Sequence, residues 1–291
     1  METSLPALPD PELVLIDGMS IATYLLEPEG AASGGDVVIC HGTPWSARVW
    51  AGPASYLSRK YRVFLWDMPG YGRSTMDSAV PVDLASQMRR LARLLEAWRL
   101  DRPHVVAHDI GGAVALGAHL LHGSDFRSLH LWDIVTLDPW GSPFFRLVAE
   151  HPDVFAQLPE ALHAALVKEY ISSAAAKRLS PAWLEALAEP WLGEVGQPAF
   201  YRQIAALSAE HTRPVAERLA EVRCPVRIGW GRQDPWIPPD QAYRLQSLLP
   251  GGVDVVEVPD AGHLVSIEAP REVERAVADW IVDVAGASER P

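Results

Sequence analysis

Asp109 stands in VVAHDIGGAVAL (105–116), where a β-branched run meets a small-residue turn and then helix-forming residues. That pattern reads as a strand turning sharply into a helix with one side chain pushed out at the apex, the place that serine holds in the G-x-S-x-G form of the turn. A carboxylate implies other chemistry. Its attack on an ester would give an anhydride, whereas its attack on saturated carbon bearing a strained oxygen or a halide gives an ordinary alkyl-enzyme ester. With a reference pKa of about 4 it needs no deprotonation at neutral pH. A histidine, its tautomer held by an acid, can then activate water against that ester.

Both partners are present in the sequence. GRQDPWIPP (231–239) supplies Asp234 and DAGHLVSIEAP (260–270) supplies His263, so nucleophile, acid and histidine follow in chain order. Asp133, 24 residues after Asp109, is the alternative acid. The plainer readings are a helix cap for Asp109, a turn residue before Pro235 for Asp234 and a packed histidine for His263. Their joint placement, each just after a strand-like run, favours catalysis.

Positioning these groups requires a sheet. Short β-like runs recur at ELVLID, SIATYLL, DVVIC (36–40), RVFLWD (62–67), HVVAH (104–108), SLHLWDIV (128–135), VRIGWG (226–231) and VDVVEV (253–258). Between them, Leu84, Met88, Leu91, Leu95 and Trp98 fall on one helix face. Such alternation predicts an α/β fold with a mostly parallel eight-stranded sheet flanked by helices. The first two strands lie too close for a crossover and predict an antiparallel edge hairpin.

From about 138 to 222 the strand signal gives way to helical segments (FFRLVAEH, PEALHAALVKEYISSAAA, PAWLEALAE, PAFYRQIAALSAE and PVAERLAEV), several with proline near the start, where a first turn accepts it. The expected organisation is a core over 1–137, an inserted helical cap over 138–222 and a second core part over 223–291. A cap so placed covers the carboxyl edge of the sheet, where open α/β sheets bind ligands.

The formal charge of −12 argues against nucleic acid or an anionic membrane as partner. Cys40 and Cys224 are the two cysteines, too few for a disulfide framework or a C-x-x-C site. The start, METSLPALPDPEL, carries no secretory pattern, and no apolar stretch nears the roughly 20 residues of a membrane helix. A cytoplasmic monomer or homodimer is expected. Neither metal nor other cofactor is implied, since no H-E-x-x-H, clustered Cys/His or G-x-G-x-x-G motif occurs. The 11 tryptophans suggest an aromatic pocket wall or simple packing.

HG-x-P at 41–44, DMPGYGRS (67–74), the turn at Asp109, G-x-x-D at 231–234 and the terminal GH at 262–263 together resemble the α/β-hydrolase superfamily, and within it the aspartate-nucleophile branch of epoxide hydrolases and haloalkane dehalogenases. The resemblance spans nearly the whole chain. It implies an oxyanion site made by the backbone N–H groups of Thr43 and Ile110, and a cis Thr43–Pro44 peptide. For an epoxide it implies acidic cap side chains that protonate the leaving oxygen. Tyr201, in a Tyr-Arg pair, is one candidate; Tyr170 is the other, with His163 as its substitute. For a halide, dehalogenases commonly place tryptophan after the nucleophile and often asparagine at the Thr43 position. This chain has Ile110 and Thr43, and no arginine follows the turn as in fluoroacetate-type enzymes. Pocket candidates are His41, Trp45, Trp140, Trp183 and Trp236. The expectation is an epoxide hydrolase acting with water on a small apolar-to-amphipathic organic substrate. The alternatives are haloalkane dehalogenation, a strained lactone as electrophile, or a catalytically silent ligand sensor.

Overall fold

The computed structural model describes residues 5–30 and 34–288; the outermost residues of the expected core parts, 1–4 and 289–291, lie outside them. All eight expected strands form: β1 (Glu12–Ile16), β2 (Met19–Leu26), β3 (Asp36–Cys40), β4 (Arg62–Trp66), β5 (His104–His108), β6 (Ser128–Trp132), β7 (Val226–Gly231) and β8 (Asp254–Val258). They make one sheet in the order β1-β2-β4-β3-β5-β6-β7-β8. The β1–β2 hairpin and the β2–β4 pair are antiparallel; the remaining pairs are parallel. Central strands such as β3, with Val37, Val38 and Ile39 all buried, have apolar cover on both faces, as parallel strands require. The sixth strand stops at Trp132, short of the SLHLWDIV run, because Asp133 takes a positive φ of 45° and turns the chain away.

Three helices precede β6: α1 (Ala51–Leu57), α2 (Leu84–Ala97) and α3 (Ile110–His122). Asp83 caps α2 by accepting from the Ser86 N–H at 2.9 Å, and Leu84, Met88, Leu91 and Leu95 are buried along it. The fifth residue of that expected face, Trp98, lies one past the helix end and is partly buried. Gly123, at φ 76°, ends α3 in the left-handed conformation that glycine adopts without strain. Between β6 and β7 run α4 (Pro143–Glu150), α5 (Pro152–Phe155), α6 (Glu160–Ser172), α7 (Pro181–Ala188), α8 (Gly193–Ala206) and α9 (Ala209–Ala216). Pro143, Pro152 and Pro181 begin their helices. Pro198 and Pro214 do not; they lie inside α8 and α9. Pro198, the sixth residue of α8, leaves the Glu194 carbonyl without its i→i−4 donor. After β7 come α10 (Asp240–Leu248), α11 (Val265–Glu268) and α12 (Pro270–Ser288), the last packed on α1 while α2 packs on α3.

Trp45, Trp50, Trp66, Trp132, Trp191 and Trp230 are fully buried, so over half of the tryptophans belong to the packed interior. Both cysteines are buried and free. Among the described residues, no helix is long and apolar enough to cross a membrane.

Candidate functional site

Asp109 leaves β5 at φ 52° and ψ −127°, a strained conformation for a side-chain-bearing residue, and α3 starts at the next position. Neighbouring strands hold that strain in place. Its N–H donates to the Trp132 carbonyl at 3.2 Å, and its own carbonyl accepts from Gly112 and Val135. The loop after β3 passes so close that a Cβ at Gly42 would sit 2.4 Å from the Asp109 Cβ, while one at Gly111 would meet the His41 carbonyl oxygen at 2.4 Å. Only glycine fits at either place.

The Thr43 N–H donates to Asp109 Oδ2 at 2.6 Å, the Ile110 N–H also bonds this carboxylate, and the Thr43–Pro44 peptide is cis. Burial pushes the Asp109 carboxyl up to about 6, against the opposing pull of His263 and the two N–H groups. It remains mostly ionised at neutral pH.

His263 follows β8 and donates from Nδ1 to Asp234 Oδ2 at 2.8 Å. Asp234 is fixed in turn by the Trp236 and Ile237 N–H groups on its Oδ1, at 2.7 and 2.9 Å. The other nitrogen, His263 Nε2, has no hydrogen-bond partner among the described residues and lies 3.9 Å from Asp109 Oδ1. Although burial opposes its charge, the surrounding carboxylates, Asp234 foremost, raise His263 to about 9. The backbone holds the ring's loop from two sides. His108 Nε2 donates to the His263 carbonyl at 2.8 Å, and the His263 N–H donates to the Ala174 carbonyl, beyond α6, at 3.0 Å.

Asp133, the alternative acid, is fully buried nearby, accepts the Gly231 N–H at 2.7 Å through Oδ1 and lies against the Asp234 carboxylate. Burial and the adjacent Asp234 charge push its carboxyl well above the usual range. The imidazole pairs with Asp234 by direct hydrogen bond, and Asp133 stands behind that pair.

Beside Asp109 lies a cavity of about 440 Å³, open solvent included, lined by Thr43, Asp109, Ile110, Val135, Trp140, Gly141, Ser142, Phe145, Tyr170, Trp236 and Ile237. Trp236 forms its central wall, stacked on Tyr170 at 4.7 Å and on Trp45 at 5.7 Å, and 5.2 Å from the His263 ring. The structure thus brings Tyr170, Trp140 and Trp236 to the nucleophile candidate. It does not bring four other expected residues to the lining. Trp45 backs Trp236 from the core. His41 is consumed structurally, donating from Nδ1 to the Gly42 carbonyl and accepting the Met68 N–H at Nε2. Trp183 sits half-buried on α7.

Tyr201, the fourth, is fully buried and faces away. Its hydroxyl donates to His163 Nδ1 at 2.8 Å, while His163 Nε2 donates to the Trp191 carbonyl at 2.7 Å. The pair satisfies itself inside the helical layer, and burial raises the Tyr201 hydroxyl to about 12. Arg202, the other half of the Tyr-Arg pair, holds the Met76 carbonyl at 2.6 Å. Tyr170 differs: among the described residues its hydroxyl makes no hydrogen bond, and burial with the nearby Asp109 charge keeps it protonated.

Two residues escaped the sequence reading. Tyr71, in the DMPGYGRS stretch, and Gln203, two residues past Tyr201, meet beside Thr43 through hydrogen bonds of 2.7 and 2.8 Å to Gln203 Oε1. Tyr71 carried a signal in its motif. Gln203 carried none, since one of two glutamines in a helix of mixed polarity has no distinctive spacing.

A family model described as the alpha/beta hydrolase fold matches residues 36–270. A crystal structure of an alpha/beta hydrolase fold protein from Burkholderia ambifaria is 40% identical, with a TM-score of 0.87 over 94% of this chain and 100% of that one. A provisionally named carbamate hydrolase, RutD, of Caulobacter sp. (strain K31) is 26% identical over 249 residues, 84% of this chain and 90% of its own. The haloalkane dehalogenase DbeA from Bradyrhizobium elkani matches with a TM-score of 0.76 over 97% of this chain and 99% of that one, at 18% identity, a likeness of fold alone.

Proposed function

Because the chain belongs to the alpha/beta hydrolase family, and its turn residue is a carboxylate, we propose that it is a hydrolase that opens epoxides through an ester on Asp109. One observation carries this reading. Asp109 Oδ2 is held by the Thr43 N–H at 2.6 Å, while His263 Nε2 stands 3.9 Å from Oδ1. A base that must deprotonate a hydroxyl nucleophile needs hydrogen-bond reach of about 2.6–3.2 Å. A carboxylate has no proton to lose, and a free Nε2 serves water instead.

The proposed sequence of events uses these groups in turn. Asp109 attacks ring carbon, the C–O bond breaks, and the alkoxide takes the Tyr170 proton. The tyrosinate recovers a proton from cationic His263. Ester formation removes the Asp109 charge, one of the charges that raise the imidazole pKa, so His263 gives up its proton more readily and the neutral form that can accept one from water is favoured once the ester exists. It then takes a proton from water as the water oxygen bonds to the ester carbonyl carbon. The resulting oxyanion lies on the Thr43 and Ile110 N–H groups, and losing one such donor costs roughly 3–4 kcal/mol of barrier. Collapse frees the diol and the carboxylate and leaves His263 protonated again. The inserted helices, 138–222, act as a cap supplying Tyr170 and the apolar wall. His163 and Tyr201 stabilise that cap.

Haloalkanes are the second reading, and the indole donors weigh against it. Within the cavity lining, the Trp140 N–H is spent on Thr212 and the Trp236 N–H on Ser173, so neither indole awaits a halide. Carbamate hydrolysis, the activity in one relative's name, requires attack on a carbonyl, where a carboxylate would form an anhydride. The test is one turnover of styrene oxide in H₂¹⁸O with enzyme in excess. The expected result is unlabelled diol and one ¹⁸O gained by the protein. Labelled diol in that first turnover would overturn the covalent route, and bromide release from 1,2-dibromoethane without epoxide opening would move the substrate class.

A further inference from the structure

Gln203 joins the inserted helices to the oxyanion loop. Its Oε1 accepts the Thr43 hydroxyl proton at 2.7 Å and the Tyr71 hydroxyl proton at 2.8 Å. The side chain is 1% exposed, and its Nε2 has no partner among the described residues. A buried amide normally satisfies both ends. Here the acceptor end is doubly used, so the acceptor is what this position retains. Tyr71 is itself clamped, edge-on to His41 at 5.4 Å and to Trp191 at 5.7 Å. The Trp191 indole N–H also donates to the Pro44 carbonyl at 2.8 Å. Two residues of the helical layer therefore grip the Thr43–Pro44 segment, and the Thr43 N–H between those grips is the one on Asp109 Oδ2.

We propose that Gln203 is a positioning residue for the second half of the reaction: by accepting the Thr43 and Tyr71 hydroxyl protons, it keeps the Thr43 N–H aimed at the nucleophile's oxygen and ties oxyanion stabilisation to the seating of the inserted helices. The inference rests on Asp109 being the covalent nucleophile. It has a distinctive sign. During alkylation Asp109 Oδ2 loses negative charge, so a donor on it favours the ground state. During ester hydrolysis water bonds to the carbonyl carbon, the π pair moves onto that oxygen, and the same donor favours the transition state. A loosened N–H leaves the first step unchanged or faster and slows the second. A merely damaged fold slows both.

The experiment is single-turnover kinetics with styrene oxide as probe, following ester by quenched intact mass and diol by chromatography, on the wild type, Gln203→Met, Gln203→Glu, Thr43→Val and the Gln203→Met/Thr43→Val double variant. In Gln203→Met the ester should form at the wild-type rate or faster and decay about tenfold more slowly, part of the 10²–10³-fold that losing a whole donor costs. Gln203→Glu keeps an acceptor oxygen and should recover most of the decay rate. Thr43→Val should reproduce the slow decay, and the double variant should add less than about twofold, since both changes break one link. Proportional slowing of both steps, no change in either, or effects that multiply would each overturn the role. Absence of any Asp109 adduct, in the wild type and in His263→Gln alike, would instead remove the nucleophile reading and the inference with it.

Discussion

Asp109 and Asp234 are fixed by backbone N–H groups of loops at the carboxyl edge of the sheet and His263 by the Asp234 carboxylate, whereas His163 of α6 and Tyr201 of α8 bond to each other and Gln203 of α8 reaches down to those loops. Backbone positions follow from strand order and register, so the core can present the same three groups under many different helical layers. The layer above has no such frame. Which of its hydroxyls reaches the nucleophile depends on helix rotation: Tyr170 reaches the cavity, while Tyr201 turns to His163. In the proposed reaction the core sets the reaction type and the inserted helices set the leaving group.

The most severe way to break this comparison is at its fixed end. Asp109→Asn should lower turnover by on the order of 10⁴-fold or more, in the range for loss of catalytic-triad members. Its melting temperature should rise rather than fall. Burial raises the Asp109 pKa to about 6, above its unfolded value of 3.8, so the folded state binds more protons in that window and stability is lost as pH climbs through it. Asparagine carries no charge to desolvate. Steady-state assays with calorimetry at pH 5 and pH 7.5 check both signs, the gain being larger at the higher pH.

Asp234→Asn should also cost on the order of 10⁴-fold, through the wrong imidazole tautomer. At the other end, Tyr170→Phe should slow epoxide opening by about 10²-fold or more, the usual scale of general acid catalysis, while Tyr201→Phe should change it less than about threefold. Equal effects at both tyrosines would erase the distinction between the helical faces. In the pH profile, the alkylation rate should fall as pH drops through about 6, where Asp109 takes up a proton. The smallest effect belongs to Asp133→Asn, which keeps an acceptor for the Gly231 N–H and should alter turnover less than about fivefold.

The same division explains what the sequence disclosed. The strands and the turn at Asp109 were legible because apolar runs and glycines that admit no Cβ leave marks in residue type, as at Gly42 and Gly111. The sequence favoured Asp234 over Asp133 without excluding the latter, because both follow strands. Only the assembled sheet puts His263 Nδ1 2.8 Å from the first and leaves the second as a buried acid behind it. Tyr201 misled for a geometric reason. Residues two apart on a helix lie about 200° apart, so the register that turns Tyr201 to His163 turns Gln203 toward Thr43. Phe200, Tyr201, Gln203 and Ile204 are all buried, which leaves no exposed face from which to read that register.

Asp109 as the covalent nucleophile is the claim on which the rest depends, and intact mass of His263→Gln after exposure to styrene oxide tests it most directly. With the water-activating base gone, the ester should accumulate as an adduct equal in mass to the whole epoxide, mapping by peptide digestion to Asp109. Folded protein that gains no mass, or an adduct that maps elsewhere, would contradict the account.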